Sequence, residues 1–377
     1  FMAGIYLHIP FCKQACHYCD FHFSVNQDKK NDLVAALLKE ASIRKEEANN
    51  EPIKTIYFGG GTPSLLSTDA LLRIFDALAE NYNLSSLQEV TLEANPDDLT
   101  AAYLRELRHT PINRLSIGIQ SFREMDLKLM NRAHDAKQAL RCVPESADIG
   151  FENISIDLIY GIQGLSQADW IKNLNTAFDL PIAHLSSYCL TVEPKTKLAK
   201  LVSSGELPAV NDEFAANHFE TLIEMTEAAG IPWYEVSNFA KPGMESKHNS
   251  SYWANENYIG LGPGAHSFNG VKRSWNVSSN TAYIQQINKN MLPSESEVLT
   301  NEEKFNEYFL TVMRTRKGLS FTELNNICDS AKINEIKAVL QEKATQGLAT
   351  IHNDGAVLTT KGLLFADAIA SSLFIVP

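Results

Sequence analysis

The sequence predicts an α/β fold: a partial parallel barrel of six βα units, followed by a C-terminal helical unit of winged-helix character. Three observations carry that expectation. From Gly4 to about Val192, short β-branched runs alternate with longer amphipathic ones, the pattern of parallel strands joined by crossover helices. Polar and glycine-rich positions recur where successive strand runs end, the place where parallel barrels carry their chemistry. Past Pro194 the rhythm changes, and from about Leu299 helical periodicity runs into Asn353-Asp354-Gly355, a hairpin signal.

A chain of 377 residues with 44% hydrophobic content can bury a sizeable core and divides into several units. We expect residues 1–192 to form the partial barrel, 193–298 an extension of it, and 299–377 the winged-helix-like domain. The net charge of −12 argues against a nucleic-acid partner. No apolar run approaches the ~20 residues of a membrane span, so we expect a cytoplasmic protein without a transmembrane segment. Cys142, Cys189 and Cys328 are scattered singly, as suits reduced thiols rather than disulfides.

Taken in order, the strand candidates are residues 5–9, 55–58, 89–93, 114–119, 153–159 and 184–191. Helical spacing follows them, as in residues 31–40 and 69–78. A long covering helix is expected over 212–230, with Gly230 at its end, and then an aromatic strand and turn from Ile231 to Gly243. Gly260, Gly262 and Gly264 read as a loop packed under a cofactor site. Helices are expected over 301–315, 321–327 and 333–346, and a last one from near Lys361.

The first strand delivers Cys12, Cys16 and Cys19 to one loop. Their Cys-x3-Cys-x2-Cys spacing lets three sulfurs face one metal centre and is too short for a useful disulfide framework. An iron–sulfur cluster held by three thiolates keeps one iron open, because most clusters take four. A Cys3His zinc site using His17 or His22, or three ordinary cysteines, are the other readings. Gly59-Gly60-Gly61-Thr62 ends the second strand and permits close backbone approach, or simply a tight turn. Glu93 and Asp157 are charges inside apolar strands, which want a polar partner. Gln120 and Arg132 add amide and guanidinium donors, and a guanidinium fork suits a carboxylate; a solvated helix arginine is the plainer alternative.

The set Tyr6, Cys12-x3-Cys16-x-Tyr18-Cys19, Gly60-Gly61-Thr62, Glu93, Gln120, Arg132 and Asp157 resembles the radical S-adenosylmethionine (SAM) family. Within it, the likeness is to the branch containing oxygen-independent coproporphyrinogen III dehydrogenase and HemW-type haem chaperones. The resemblance implies a [4Fe-4S] cluster on the three cysteines, SAM on the open iron, and SAM contacts from Glu93, Gln120, Arg132 and Asp157. The dehydrogenase branch continues to a further cysteine where this chain reads Cys19-Asp20-Phe21, so Phe21 points to the chaperone side. His248-Asn249-x-x-Tyr252-Trp253 matches a motif associated there with haem, which implies haem at His248, with His266 a secondary candidate. The expected function is therefore haem delivery to an acceptor protein, membrane-associated or not, with an electron donor as second partner. Oxidative decarboxylation of coproporphyrinogen III is the alternative, and a zinc-stabilised binding protein the third reading.

Overall fold

In the computed structural model, which describes residues 2–375, the alternation in Gly4-Ile-Tyr-Leu-His-Ile9 becomes strand β1 (Met2–Ile9). The outer limits of the first and last expected segments lie outside the described residues. Ile5, Leu7 and Ile9 go wholly into the core, while Tyr6 turns its ring to Tyr57, 6.0 Å away. Strands β2 (Thr55–Gly60), β3 (Glu89–Ala94), β4 (Arg114–Gln120), β5 (Asn153–Tyr160) and β6 (His184–Cys189) follow. They pair in sequence order, all parallel, because each is separated from the next by a crossover long enough to bring the chain back to the same end.

The six strands are extended on both sides by the segment after Pro194. Strands β7 (Trp233–Glu235) and β8 (Asn238–Ala240) add antiparallel to β6. Strand β9 (Asn257–Leu261) lies parallel to β1, followed by an antiparallel meander of β10 (His266–Phe268), β11 (Lys272–Asn276) and β12 (Ser294–Val298). The order is β12-β11-β10-β9-β1-β2-β3-β4-β5-β6-β8-β7, so the barrel stays partial. The stretch expected as a glycine loop is half strand: Gly260 sits inside β9, where a side chain would collide with the His266 carbonyl. Only Gly262 and Gly264, both at positive φ, make the turn.

Beyond residue 299, helix Ser330–Thr345 packs with a separate three-stranded sheet, and helix Asn301–Val312 packs against the last helix, Ala366–Ser371. Its strands are β13 (Leu319–Ser320), β14 (Ala349–His352) and β15 (Gly355–Leu358), with Asn353 and Asp354 forming the expected hairpin turn. The unit is stitched to the barrel: the Val236 amide donates to the Arg314 carbonyl at 2.9 Å, and Arg316 pairs with Glu227 at 2.6 Å.

One buried carboxylate fastens the first helix, Lys30–Ile43, to the extension. Glu40 is fully buried and accepts from Arg44 Nε at 2.9 Å, Asn276 Nδ2 at 2.7 Å and the Gly262 amide at 2.8 Å, and also from the Tyr283 hydroxyl. Removing one partner of a buried, hydrogen-bonded charge pair costs about 3–5 kcal/mol. Glu40→Ala should therefore lower the unfolding free energy by that amount, read in urea as a lower midpoint with little change in slope; a midpoint within experimental error of wild type would show that β9 and β11 are held by something else.

Candidate functional site

Six parallel strands ending at one edge bring the motif residues together. A cavity of about 740 Å³ opens there, lined by Cys12, Cys16 and Cys19 from the loop after β1, by Gly60, Gly61 and Thr62 after β2, and by Glu93, Gln120 and Asp157 from β3, β4 and β5. Tyr18 and Arg132 line it as well. Tyr6 and His248 are not in this wall.

The cysteine loop has few internal hydrogen bonds and is shaped from outside. The His17 amide donates to Met130 O at 3.0 Å, its ring engages Leu129 O at 2.8 Å, and Gln14 and Asn131 exchange side-chain bonds with the opposite backbone at 2.7 Å each. Lys13 pairs with Asp97 and Asp98 beyond β3. Gly61 and Thr62 donate their amides to Ile9 and Phe11 carbonyls at 2.9 and 2.7 Å, and a side chain at Gly61 would meet that same backbone at 2.7 Å. The Gly60 amide donates to Glu93 at 3.1 Å. The glycine run thus spends these donors on bracing the loop and Glu93, and only its carbonyls remain to face a ligand.

Arg132 is the hub. Its guanidinium reaches Cys16 Sγ at 3.2 Å, Tyr18 Oη at 3.4 Å, Asn95 Oδ1 at 2.6 Å and Gly118 O at 2.9 Å, while its buried Nε has no partner among the described residues. Burial opposes the charge, yet Tyr18 and Cys16 hold the guanidinium firmly protonated. At the other side of the cavity, burial pushes Glu93 up to about 7, against the Tyr57 hydroxyl that donates to it at 2.8 Å and with the Asp157 charge adding to the rise. Asp157 rises to about 6, again through burial, with Ser186 and Arg114 opposing. Gln120 sits at φ 66°, and the β4–β5 register shifts between Ile117 and Gln120; such an irregularity re-aims a strand-end side chain.

The donor set fits an iron–sulfur cluster better than zinc. Thr62 donates to Cys12 Sγ at 3.6 Å. Burial raises the Cys12 and Cys19 thiols, Cys19 to about 11, so a bound metal must supply the charge that makes them thiolates. His17 turns to Leu129, and His22 Nε2 engages Asn280 at 2.8 Å. Neither histidine lines the cavity, and among the described residues no group of three His, Cys, Asp or Glu closes on one metal ion. Phe21, 71% exposed, stands in the cavity wall beside Cys19.

His248 lies apart from this cavity, and its imidazole is engaged within the fold. It is 1% exposed in helix Lys247–Trp253, with Nδ1 bonded to Thr55 at 2.8 Å and Nε2 to the Tyr252 hydroxyl at 2.8 Å. Burial lowers its pKa to about 3, but neutrality does not help when both nitrogens are engaged. Glu89 anchors the same helix by accepting from the Lys247 and His248 amides at 3.0 Å each. Thr55 and Glu89 begin β2 and β3, so the motif closes the amino end of the barrel, opposite the cysteines.

Sequence reasoning missed Asn95, Ser116, Gly118 and Arg314, all in the cavity wall. Asn95 lies two residues from Glu93, and Ser116 and Gly118 precede Gln120 at the same spacing, so strand alternation could have found them. Arg314 arrives from the C-terminal unit and left no local signal.

The sequence profile of the Radical SAM superfamily matches residues 6–177. The "Heme chaperone HemW" of Bacillus subtilis (strain 168) is 37% identical over 371 residues, 98% of this chain and 98% of that protein. The "Heme chaperone HemW" of Escherichia coli (strain K12) is 32% identical over 378 residues, 97% of this chain and 96% of that protein. Among solved structures, coproporphyrinogen III oxidase (HemN) from Escherichia coli, described as a radical SAM enzyme, aligns with a TM-score of 0.86 at 22% identity, covering 99% of this chain and 90% of that one. At that identity the likeness speaks for the fold.

The raised carboxyls set a pH dependence. A carboxyl whose folded pKa exceeds its unfolded value stabilises the fold in its protonated form: the contribution is complete below the ordinary value of 4.5 and is lost as pH rises through about 7 for Glu93. In the cofactor-free protein, the Tm difference between Glu93→Gln and wild type should shift in favour of the variant from pH ~5 to pH ~7.5. Parallel Tm profiles would mean that Glu93 titrates as it would in water.

Proposed function

Because the chain belongs to the radical SAM superfamily, in its HemW-type branch, we propose that it is a haem chaperone that carries a [4Fe-4S] cluster and SAM and delivers haem to an acceptor protein. The observation supporting this most directly is the likeness to HemW proteins along 98% of the chain, joined to a three-thiol cavity whose motif ends in Phe21 rather than a further cysteine.

Cys12, Cys16 and Cys19 would hold the cluster, and the open iron would take SAM through its amine and carboxylate. When bound, the pair supplies one-electron cleavage of a carbon–sulfur bond. The protein's own groups divide the remaining work. Arg132 offers charge and N–H donors beside the cysteines, suited to the SAM carboxylate. Glu93 and Asp157 offer acceptors to ammonium and ribose hydroxyls, and Gln120 an amide. Loop and glycine run keep these groups in place before any ligand arrives, which lowers the ordering cost of binding. Delivery requires an acceptor, and reduction of the cluster an electron-donor protein. Among the described residues no helix is long and apolar enough to cross a membrane; we read the setting as cytoplasmic, with the acceptor free to be membrane-associated.

Two measurements on one anaerobically reconstituted sample test this reading. The wild type should contain roughly four irons per chain, and Cys16→Ala should lose them and the visible thiolate-to-iron absorption; full iron loading in the variant removes the cluster assignment. The same wild-type sample should bind haem and convert no coproporphyrinogen III when given SAM and a reductant. Formation of protoporphyrinogen IX would instead establish the oxidative enzyme.

A further inference from the structure

With His248 engaged at both nitrogens, a haem carried by this chain needs another axial ligand. Of the ten histidines, only His109, His266 and His352 are exposed. His109 follows the helix Ala101–Leu107, and His352 ends β14 in the C-terminal hairpin; neither has an aromatic ring beside it among the described residues. His266 differs in its surroundings. It begins β10 directly opposite Trp275 on β11, the two rings 6.2 Å apart and tilted by 33°. No hydrogen bond engages its imidazole among the described residues.

Strand alternation makes this a face rather than a pair. Phe268, two residues on, lies opposite Arg273, two residues before Trp275, so the four side chains share one side of the meander. Ser267 and Ser274 take the other side, and Ser267 is buried, accepting from the Gly260 amide at 2.9 Å. Arg273 is tied to Glu307 at 2.8 Å, which leaves haem propionates to solvent. The face stands at the cysteine end of the barrel. A side chain placed at Gly264 would come 3.6 Å from His22, the residue after exposed Phe21.

Resting on the haem reading above, we propose that His266 is the axial ligand of a haem-docking face, with Trp275 and Phe268 packing against the porphyrin. A free imidazole nitrogen on a fixed strand is a good donor to ferric iron, and an indole at its side covers apolar macrocycle that would otherwise face water. An open face also suits cargo that must leave, since a buried ligand would require the fold to open at each transfer. Burial lowers the His266 pKa, which keeps the donor unprotonated at neutral pH.

Titration of the full-length protein with ferric haem, followed by the Soret band, tests this. His266→Ala should weaken binding roughly ten-fold or more and change the band, and added imidazole should restore the wild-type spectrum. Trp275→Ala should weaken binding while keeping the ligation spectrum. His109→Ala and His352→Ala should bind as wild type, as should His248→Ala provided its circular dichroism shows a folded chain. Unchanged affinity and spectrum in His266→Ala, or loss of the spectrum in a folded His248→Ala, overturns the assignment while leaving the chaperone reading intact. A wild-type chain that binds no haem removes both.

Discussion

The site depends on one buried guanidinium. Arg132 is the group through which the cysteine loop, the end of β3 and the end of β4 are mutually fixed, through Cys16, Asn95 and the Gly118 carbonyl. A loop whose own backbone closes almost no internal bonds would otherwise sample many shapes, at about 1–2 kcal/mol of backbone entropy per residue fixed. Here the bonds from residues 129–132, Gly61 and Thr62 hold it. The same guanidinium opposes the rise that burial imposes on the Cys12 thiol, so one side chain both shapes the loop and tempers its desolvation.

The opposite end of the barrel has a different duty. Helix Lys247–Trp253 lays His248 against the rings of Tyr57, 5.0 Å away, and Tyr6, 6.4 Å away. A bulkier residue at Gly4 would strike both Thr55 and His248. Arg114, 1% exposed at the start of β4, adds a positive charge below Glu93 and Asp157. A neutral histidine bonded at both nitrogens is well suited to such a dry, positively charged floor, because protonating it would require the hydroxyl that donates to its bare nitrogen to turn away and a second cation to be buried.

The parallel core was legible because its signals are local. Residues 55–58 and 114–119 read as strands from β-branched runs alone, and the observed β2 and β4 extend them by only one or two residues. The cavity residues were legible for a related reason: a parallel sheet sends every strand's C-terminal end to one edge, so polar interruptions at those ends must meet. What stayed hidden is what long-range pairing decides. β9 carries Gly260 and reads as a turn, becoming a strand only because β1 offers an unpaired edge. β12, Ser294-Glu-Ser-Glu-Val298, has no apolar stripe and exists through β11. The surroundings of His248 stayed hidden for the same reason. Imidazole flanked by Tyr and Trp is chemically apt for haem, and only the fold reveals that Tyr252 and Thr55 already occupy its nitrogens.

The charge layout of the cavity carries a last step. A positive guanidinium lies beside the cysteines, and two carboxyls lie deeper, held partly protonated by burial. A zwitterionic moiety, with a carboxylate and one separate ammonium, would match this polarity without importing net charge into a poorly hydrated space. Each half of such a ligand would relieve a different strain: the carboxylate would accept from Arg132, whose buried Nε lacks a partner among the described residues, and the cationic half would favour the ionised form of Glu93. Binding is then favoured at both ends by groups whose ligand-free state is costly. A simple cation or a simple anion would relieve one end and worsen the other, so the paired charges of an amino-acid moiety would suit this cavity better than either alone.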